Sequence, residues 1–114
     1  MLPSNKYDMP ERKISEFLLK PGAKHAKEFF DVGYQKDDIE RLHHDIEEKF
    51  DEAKATDFLV LPDGAVTFSV FMELGIIKRR SFRTVWRRDR PEAKPKFVTA
   101  YREDVTKCLT NMNM

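Results

Sequence analysis

Residues 66–75 read VTFSVFMELG, and within them Val66, Phe68, Val70 and Met72 alternate with Thr67, Ser69 and Glu73. A period of two over that length predicts a half-buried β-strand that ends near Gly75. Upstream, the apolar run from Phe58 to Leu61 meets Pro62-Asp63-Gly64, a sequence suited to a tight turn, so a hairpin is expected. Downstream, residues 76–88 read as another strand. Phe82, Thr84 and Trp86 point to one side of it, and Arg79, Ser81, Arg83, Val85 and Arg87 to the other. A loop containing Pro91 and Pro95 leads to a last strand at 96–101, with Phe97, Thr99 and Tyr101 expected on one side and Val98 and Ala100 on the other.

The sequence before this block has helical periodicity. Pro10 can open a helix over 11–19, in which Ile14, Phe17 and Leu18 form the inner stripe before Pro21 and Gly22 end it. A second helix is expected over 23–31, with Ala26, Phe29 and Phe30 inward and Gly33 as its stop. Lys24, His25 and Lys27 then fall near its N-terminal end, where cations oppose the helix dipole and an anion would be favoured. From 37 to 55, Ile39, Leu42, Ile46, Phe50 and Ala53 form one stripe, and the remaining faces are acidic. Helices followed by turn-linked strands predict an α+β domain, with N-terminal helices on one face of a roughly four-stranded antiparallel sheet. The other sheet face stays partly open, so its side chains are candidates for function. The chain is expected to form a single domain over 1–114, with a core at 10–102, a short helix at 103–109 and a frayed tail.

The 114 residues, 40% of them hydrophobic, leave no room for a second domain and exclude two-domain enzymes. The apolar runs fall far short of the roughly 20 residues of a membrane span. The start, MLPSNKYDMPERK, lacks a signal-like apolar segment, so a cytoplasmic protein is expected, although a domain cut from a larger exported protein would lack one too. One cysteine, Cys108, excludes an internal disulfide, and three histidines without a cysteine pair argue against structural zinc. No cofactor and no metal are expected. Cys108 reads as a small packing residue, and His43 and His44 as surface or boundary residues.

A net charge of +1 conceals a dipolar chain. Residues 28–57 hold eleven acidic and four basic side chains, near −7, while residues 76–102 hold ten basic and two acidic ones, near +8. Lys78, Arg79, Arg80, Arg83, Arg87 and Arg88 lie on one expected strand, too many to pair locally. Arginine forks suit phosphate, and Trp86 and Tyr101 among them suggest platforms for unstacked bases. The plainer reading is that these cations blunt a sheet edge or bridge to the acidic helix.

Three segments, FLLKPGAKHAKEFFDVGY, FRTVWRR and KFVTAY, resemble a bacterial domain family of unknown function whose members are small proteins or toxin tails. The resemblance spans roughly residues 12–102. By arrangement the family is similar to the nucleases that include barnase, EndoU, colicin ribonucleases and RelE, in which helices precede a four-stranded antiparallel sheet bearing the RNA site. Residue by residue, the resemblance carries over to Lys24 and Lys27, to Arg83, Thr84 and Trp86, and to Thr99 and Tyr101. His25 fits the pattern less well. No acidic residue stands at the matched positions, so a Glu–His pair is not visible, and a mechanism built on Lys, Arg and Tyr fits better.

RNA cleavage without a metal needs a base for the 2′-hydroxyl, a cation for the phosphate and an acid for the leaving oxygen. Lys24, His25, Arg83 and Tyr101 are the expected catalytic set, with Arg83 on the phosphate and either His25 or Lys24 as base. Lys27, Arg79, Thr84, Trp86, Arg87 and Thr99 are the expected substrate-binding set. The leading expectation is a metal-independent endoribonuclease toxin, with RNA as substrate and a cognate antitoxin or immunity protein as partner. The alternatives are a non-enzymatic binding module, either immunity-like or an RNA adaptor, and a structural or phage-associated protein.

Overall fold

The computed structural model describes residues 4–103. Cys108 and nearly all of the helix expected at 103–109 lie outside the described residues. Four strands, β1 (Thr56–Val60), β2 (Val66–Leu74), β3 (Arg80–Arg88) and β4 (Lys96–Arg102), form an antiparallel sheet in the order β1-β2-β3-β4. Before them come a π-helical segment (Lys13–Leu18), α1 (Ala26–Asp31) and α2 (Ile39–Lys49), with a 3₁₀ turn at Glu52–Lys54. The arrangement is α+β, as the periodicities require.

The alternation of β2 and β3 decides which sheet face is covered. Phe68, Val70 and Met72 stand opposite Trp86, Thr84 and Phe82, and all six are buried. Ile14, Leu18, Leu19, Phe29, Leu42 and Ile46 from the helices close over this face. Trp86 sits at its centre, with ring centroids 4.6 Å from Phe50 and 4.7 Å from Tyr7. The core therefore begins before residue 10, since Tyr7 and Met9 are both buried in it.

The structure corrects the expected facing of β4. Val85 pairs with Thr99 but Trp86 pairs with Phe97, so Val98 is an extra residue and the ladder bulges there. One inserted residue reverses side-chain parity along the rest of the strand. Phe97 consequently shares the core with Ala100, while Thr99 and Tyr101 belong to the opposite face, where Tyr101 stands directly across from Arg83.

Three element boundaries also move. The long helix stops at Lys49, because Phe50 is extended (φ −63°, ψ 124°) and turns its ring onto Trp86. Asp51 then caps the 3₁₀ turn by accepting the Ala53 N–H at 3.0 Å, which leaves Ala53 on the surface. The strand expected from Ile76 starts at Arg80, because residues 75–79 form a turn whose Ile76 and Ile77 N–H groups donate to Val32 O at 2.9 and 3.0 Å. Gly75 (φ +151°) is required in that turn, since a Cβ there would lie 1.7 Å from Lys78 O. Finally, α1 begins only at Ala26, so Lys24 and His25 lie in the turn ahead of the helix.

Candidate functional site

The end of the π-helical segment, the turn before α1 and the outer edge of β4 together border a cavity of about 620 Å³. Phe17, Lys20, Lys24, His25, Thr99 and Tyr101 line it. The imidazole of His25 lies on the ring of Tyr101, with centroids 5.2 Å apart and planes inclined by 29°. His25 Nδ1 is 2.9 Å from Glu28 Oε1. The same oxygen accepts the Arg102 N–H at 3.3 Å, so Glu28 ties the histidine to the open edge of β4. A carboxylate can only accept, so Nδ1 carries a proton and the neutral ring keeps its lone pair on Nε2.

Of the expected catalytic set, Lys24, His25 and Tyr101 meet at this cavity, and Arg83 does not line it. Arg83 faces Tyr101 across the ladder on the open side of the sheet. Its Nη2 lies 3.0 Å from an Asp57 carboxylate oxygen and its Nε 2.6 Å from Glu103, and its guanidinium covers the Phe71 ring at 4.9 Å. Two carboxylates therefore already answer this charge.

The expectation that these six cations cannot all pair with local carboxylates stands, although four of them, Arg83 included, do find one. Arg87 pairs with Asp63 and Asp89, Arg88 with Glu52, and Lys78 with Asp31. Hydrogen bonds from Lys96 and Arg87 hold the Asp89 carboxyl down at about 2. Among the described residues, Arg79 and Arg80 are the strand-region arginines without a carboxylate partner, and Arg79 lines a different cleft with Arg41, Glu48 and Glu73. A surface of compensated arginines is a weak polyanion trap.

Two of the expected substrate-binding residues are core. Trp86 is fully buried and its indole N–H donates to Thr84 Oγ1 at 2.8 Å, while the Thr84 hydroxyl donates to Val70 O at 2.7 Å. Neither can reach a ligand. Of the rest, Thr99 lines the cavity, and Lys27 is exposed on α1 without lining it. The expectation for His43 is corrected too: it is 7% exposed, edge-on to Tyr7, and burial disfavours its charged form.

Two residues were missed in the sequence. Glu28 follows His25 by three positions, a spacing that places them together on a helical turn. Phe17 was assigned to the core, yet it is 54% exposed. For metal binding, His44, Asp45 and Glu48 on α2 bring donor atoms within 4.8 Å of one another. Asp45 is already engaged there by the Tyr34 hydroxyl at 2.5 Å and by Arg41 at 3.2 Å.

The chain belongs to a family described as a domain of unknown function, DUF6883, whose model matches residues 2–104. No curated protein and no solved structure matches it. Among the described residues, no helix is long and apolar enough to cross a membrane.

Proposed function

We propose that the protein is a metal-independent endoribonuclease, a toxin or toxin-like domain held in check by a cognate antitoxin or immunity protein. The observation that carries this reading is the imidazole of His25, oriented by Glu28 and stacked on Tyr101 beside Lys20 and Lys24 in one cavity. The arrangement of helices before a four-stranded antiparallel sheet, similar to that of the barnase, colicin and RelE nucleases, supports it as fold-level analogy.

In this reading the lone pair on His25 Nε2 takes the proton of a ribose 2′-hydroxyl. The 2′-oxygen attacks phosphorus, the bond to the 5′-oxygen breaks, and a 2′,3′-cyclic phosphate remains. The leaving 5′-oxygen takes a proton from the Tyr101 hydroxyl. Lys24 replaces Arg83 as the cation for the phosphate oxygens, because Arg83 is committed to Asp57 and Glu103. Arg83 then acts behind Tyr101 as a positioning residue.

A second reading, a non-enzymatic immunity-like or adaptor module, draws on β1. Phe58, Leu59 and Val60 are all exposed on this strand at the sheet edge, and Val60 is 70% exposed. An apolar edge is a surface for another protein. One experiment separates the readings. Purified protein with mixed RNA in EDTA should leave 2′,3′-cyclic ends, and expression without its partner should arrest growth. His25→Ala should slow cleavage by about 10²-fold to 10⁴-fold. Full activity in that variant would transfer the base to Lys24, and no cleavage of any RNA by wild type would leave the binding module.

A further inference from the structure

Phe17 is exposed because of an unusual backbone. An α-helix over 11–19 would turn Ile14, Phe17 and Leu18 to one side, since residues three and four apart are neighbours. The segment Lys13–Leu18 instead winds as a π-helix, and the Leu19 N–H donates to Ile14 O, five residues back, at 2.8 Å. The wider turn aligns Ile14 with Leu18 and Leu19. All three are buried, and Phe17 rotates out of the core into the wall of the cavity that holds His25 and Tyr101. Inserted π turns are rare and gather at functional sites.

Two further features bear on what the ring meets. Lys13 Nζ lies 5.4 Å from the Phe17 centroid, adding a cation to those of Lys20 and Lys24 around the same opening. The ring therefore stands as an apolar plate beside three lysines, with the Glu16 carboxylate also on the lining, in the same cavity as the stacked His25–Tyr101 pair. An exposed aromatic with several cations beside it, here outnumbering the one carboxylate on the lining, is the arrangement that holds an unstacked nucleobase while its phosphates are neutralised.

From these observations we infer that Phe17 is a stacking platform for a base of single-stranded RNA, positioned by the π turn so that the adjoining phosphate reaches Lys24 and His25. The inference deepens the ribonuclease reading and rests on it for the identity of the ligand. It also commits the site to single strands, because a base within a duplex cannot leave its stack to meet the ring.

The test uses the full chain and an uncleavable probe, a 2′-O-methyl 12-mer oligoribonucleotide of mixed sequence with a fluorescein end label. Phe17→Ala should weaken its binding about 5-fold to 100-fold. Phe17→Tyr should restore it, and the midpoint of urea unfolding should stay near that of wild type. Because Trp86 is the single tryptophan and is fully buried, Phe17→Trp adds a surface reporter whose emission the single strand should quench and the annealed duplex should not. Equal affinity in wild type and Phe17→Ala, or equal quenching by strand and duplex, overturns the platform. Cleavage by wild type with that result leaves the ribonuclease reading standing. Tight, Phe17-dependent binding without cleavage supports the platform and removes the enzyme.

Discussion

His25 is tied to β4 twice, once by its stack on Tyr101 at 5.2 Å and once through Glu28, whose Oε1 lies 2.9 Å from His25 Nδ1 and takes the Arg102 N–H at 3.3 Å. The histidine is thus held to a strand, although its own place is a turn. If His25 is the base, Glu28 is its positioning residue. Glu28→Ala should lower kcat about 10-fold to 100-fold with little change in KM, since second partners of a working imidazole carry effects of that size. Glu28→Gln should recover part of the loss, because its amide oxygen can still accept from Nδ1. An equal fall in kcat for both variants, or a rise in KM alone, would remove this role.

Arg83 sits at the centre of the open sheet face, with 17% of its side chain exposed between Asp57, Glu103 and the Phe71 ring. Its replacement should therefore act on stability before it acts on RNA. Arg83→Ala exposes Phe71 and leaves two carboxylates without their cation, at a cost of about 1–3 kcal/mol. Arg83→Lys keeps the charge and loses the fork, so it should fall between wild type and Ala in urea unfolding. Wild-type stability in Arg83→Ala together with abolished cleavage would return the arginine to the phosphate.

Thr84 and Trp86 make a buried polar chain, in which the indole N–H donates to the threonine hydroxyl and the hydroxyl donates to Val70 O. Thr84→Val preserves shape and removes both bonds, leaving the indole N–H unsatisfied in the core. A loss of about 1–3 kcal/mol is expected. Trp86 fluorescence during urea unfolding measures it directly. Thr84→Ser keeps the hydroxyl and should recover the hydrogen-bond part of the loss, leaving only a methyl-sized cavity.

The parts of this fold that were legible in the sequence are those set by local periodicity. The alternation of β2 and β3, the Pro62-Asp63-Gly64 turn and the Leu42–Ile46 stripe depend on neighbours within a few residues. The Asp63 carboxylate even accepts the Ala65 N–H at 3.0 Å in the manner expected of a turn aspartate. The facing of β4 was not legible, because the bulge at Val98 answers to packing across the ladder against Trp86 and Thr84. The π turn has the same origin: three leucine and isoleucine side chains are accommodated in the core and Phe17 is displaced. The pairing of Arg83 with Asp57 and of Arg88 with Glu52 joins residues more than 25 positions apart, beyond the reach of any spacing rule. In the site, the cations and aromatics were visible by type, whereas the Glu28–His25 pair was missed, although its spacing of three could have shown it. Their convergence depends on β4 and the turn before α1 meeting at one edge.

The last prediction concerns pH. His43 on α2 faces inward, edge-on to Tyr7 with centroids 5.9 Å apart, and burial lowers it from the ordinary histidine value of 6.5. Glu47 opposes that shift and His44 adds to it. A histidine lowered in the folded state binds its proton more readily when unfolded, so acid favours unfolding. The stability linked to neutral His43 is therefore complete above about pH 6.5 and is lost as pH falls through the lowered value. Asp89 titrates in a separate window, because it is held near 2 by Lys96 and Arg87 and its contribution is lost only below about pH 4. Urea midpoints measured between pH 7.5 and 5 should thus decline for wild type and decline less for His43→Gln, which has no proton to gain. Identical slopes for the two proteins would mean that another group governs the acid limb.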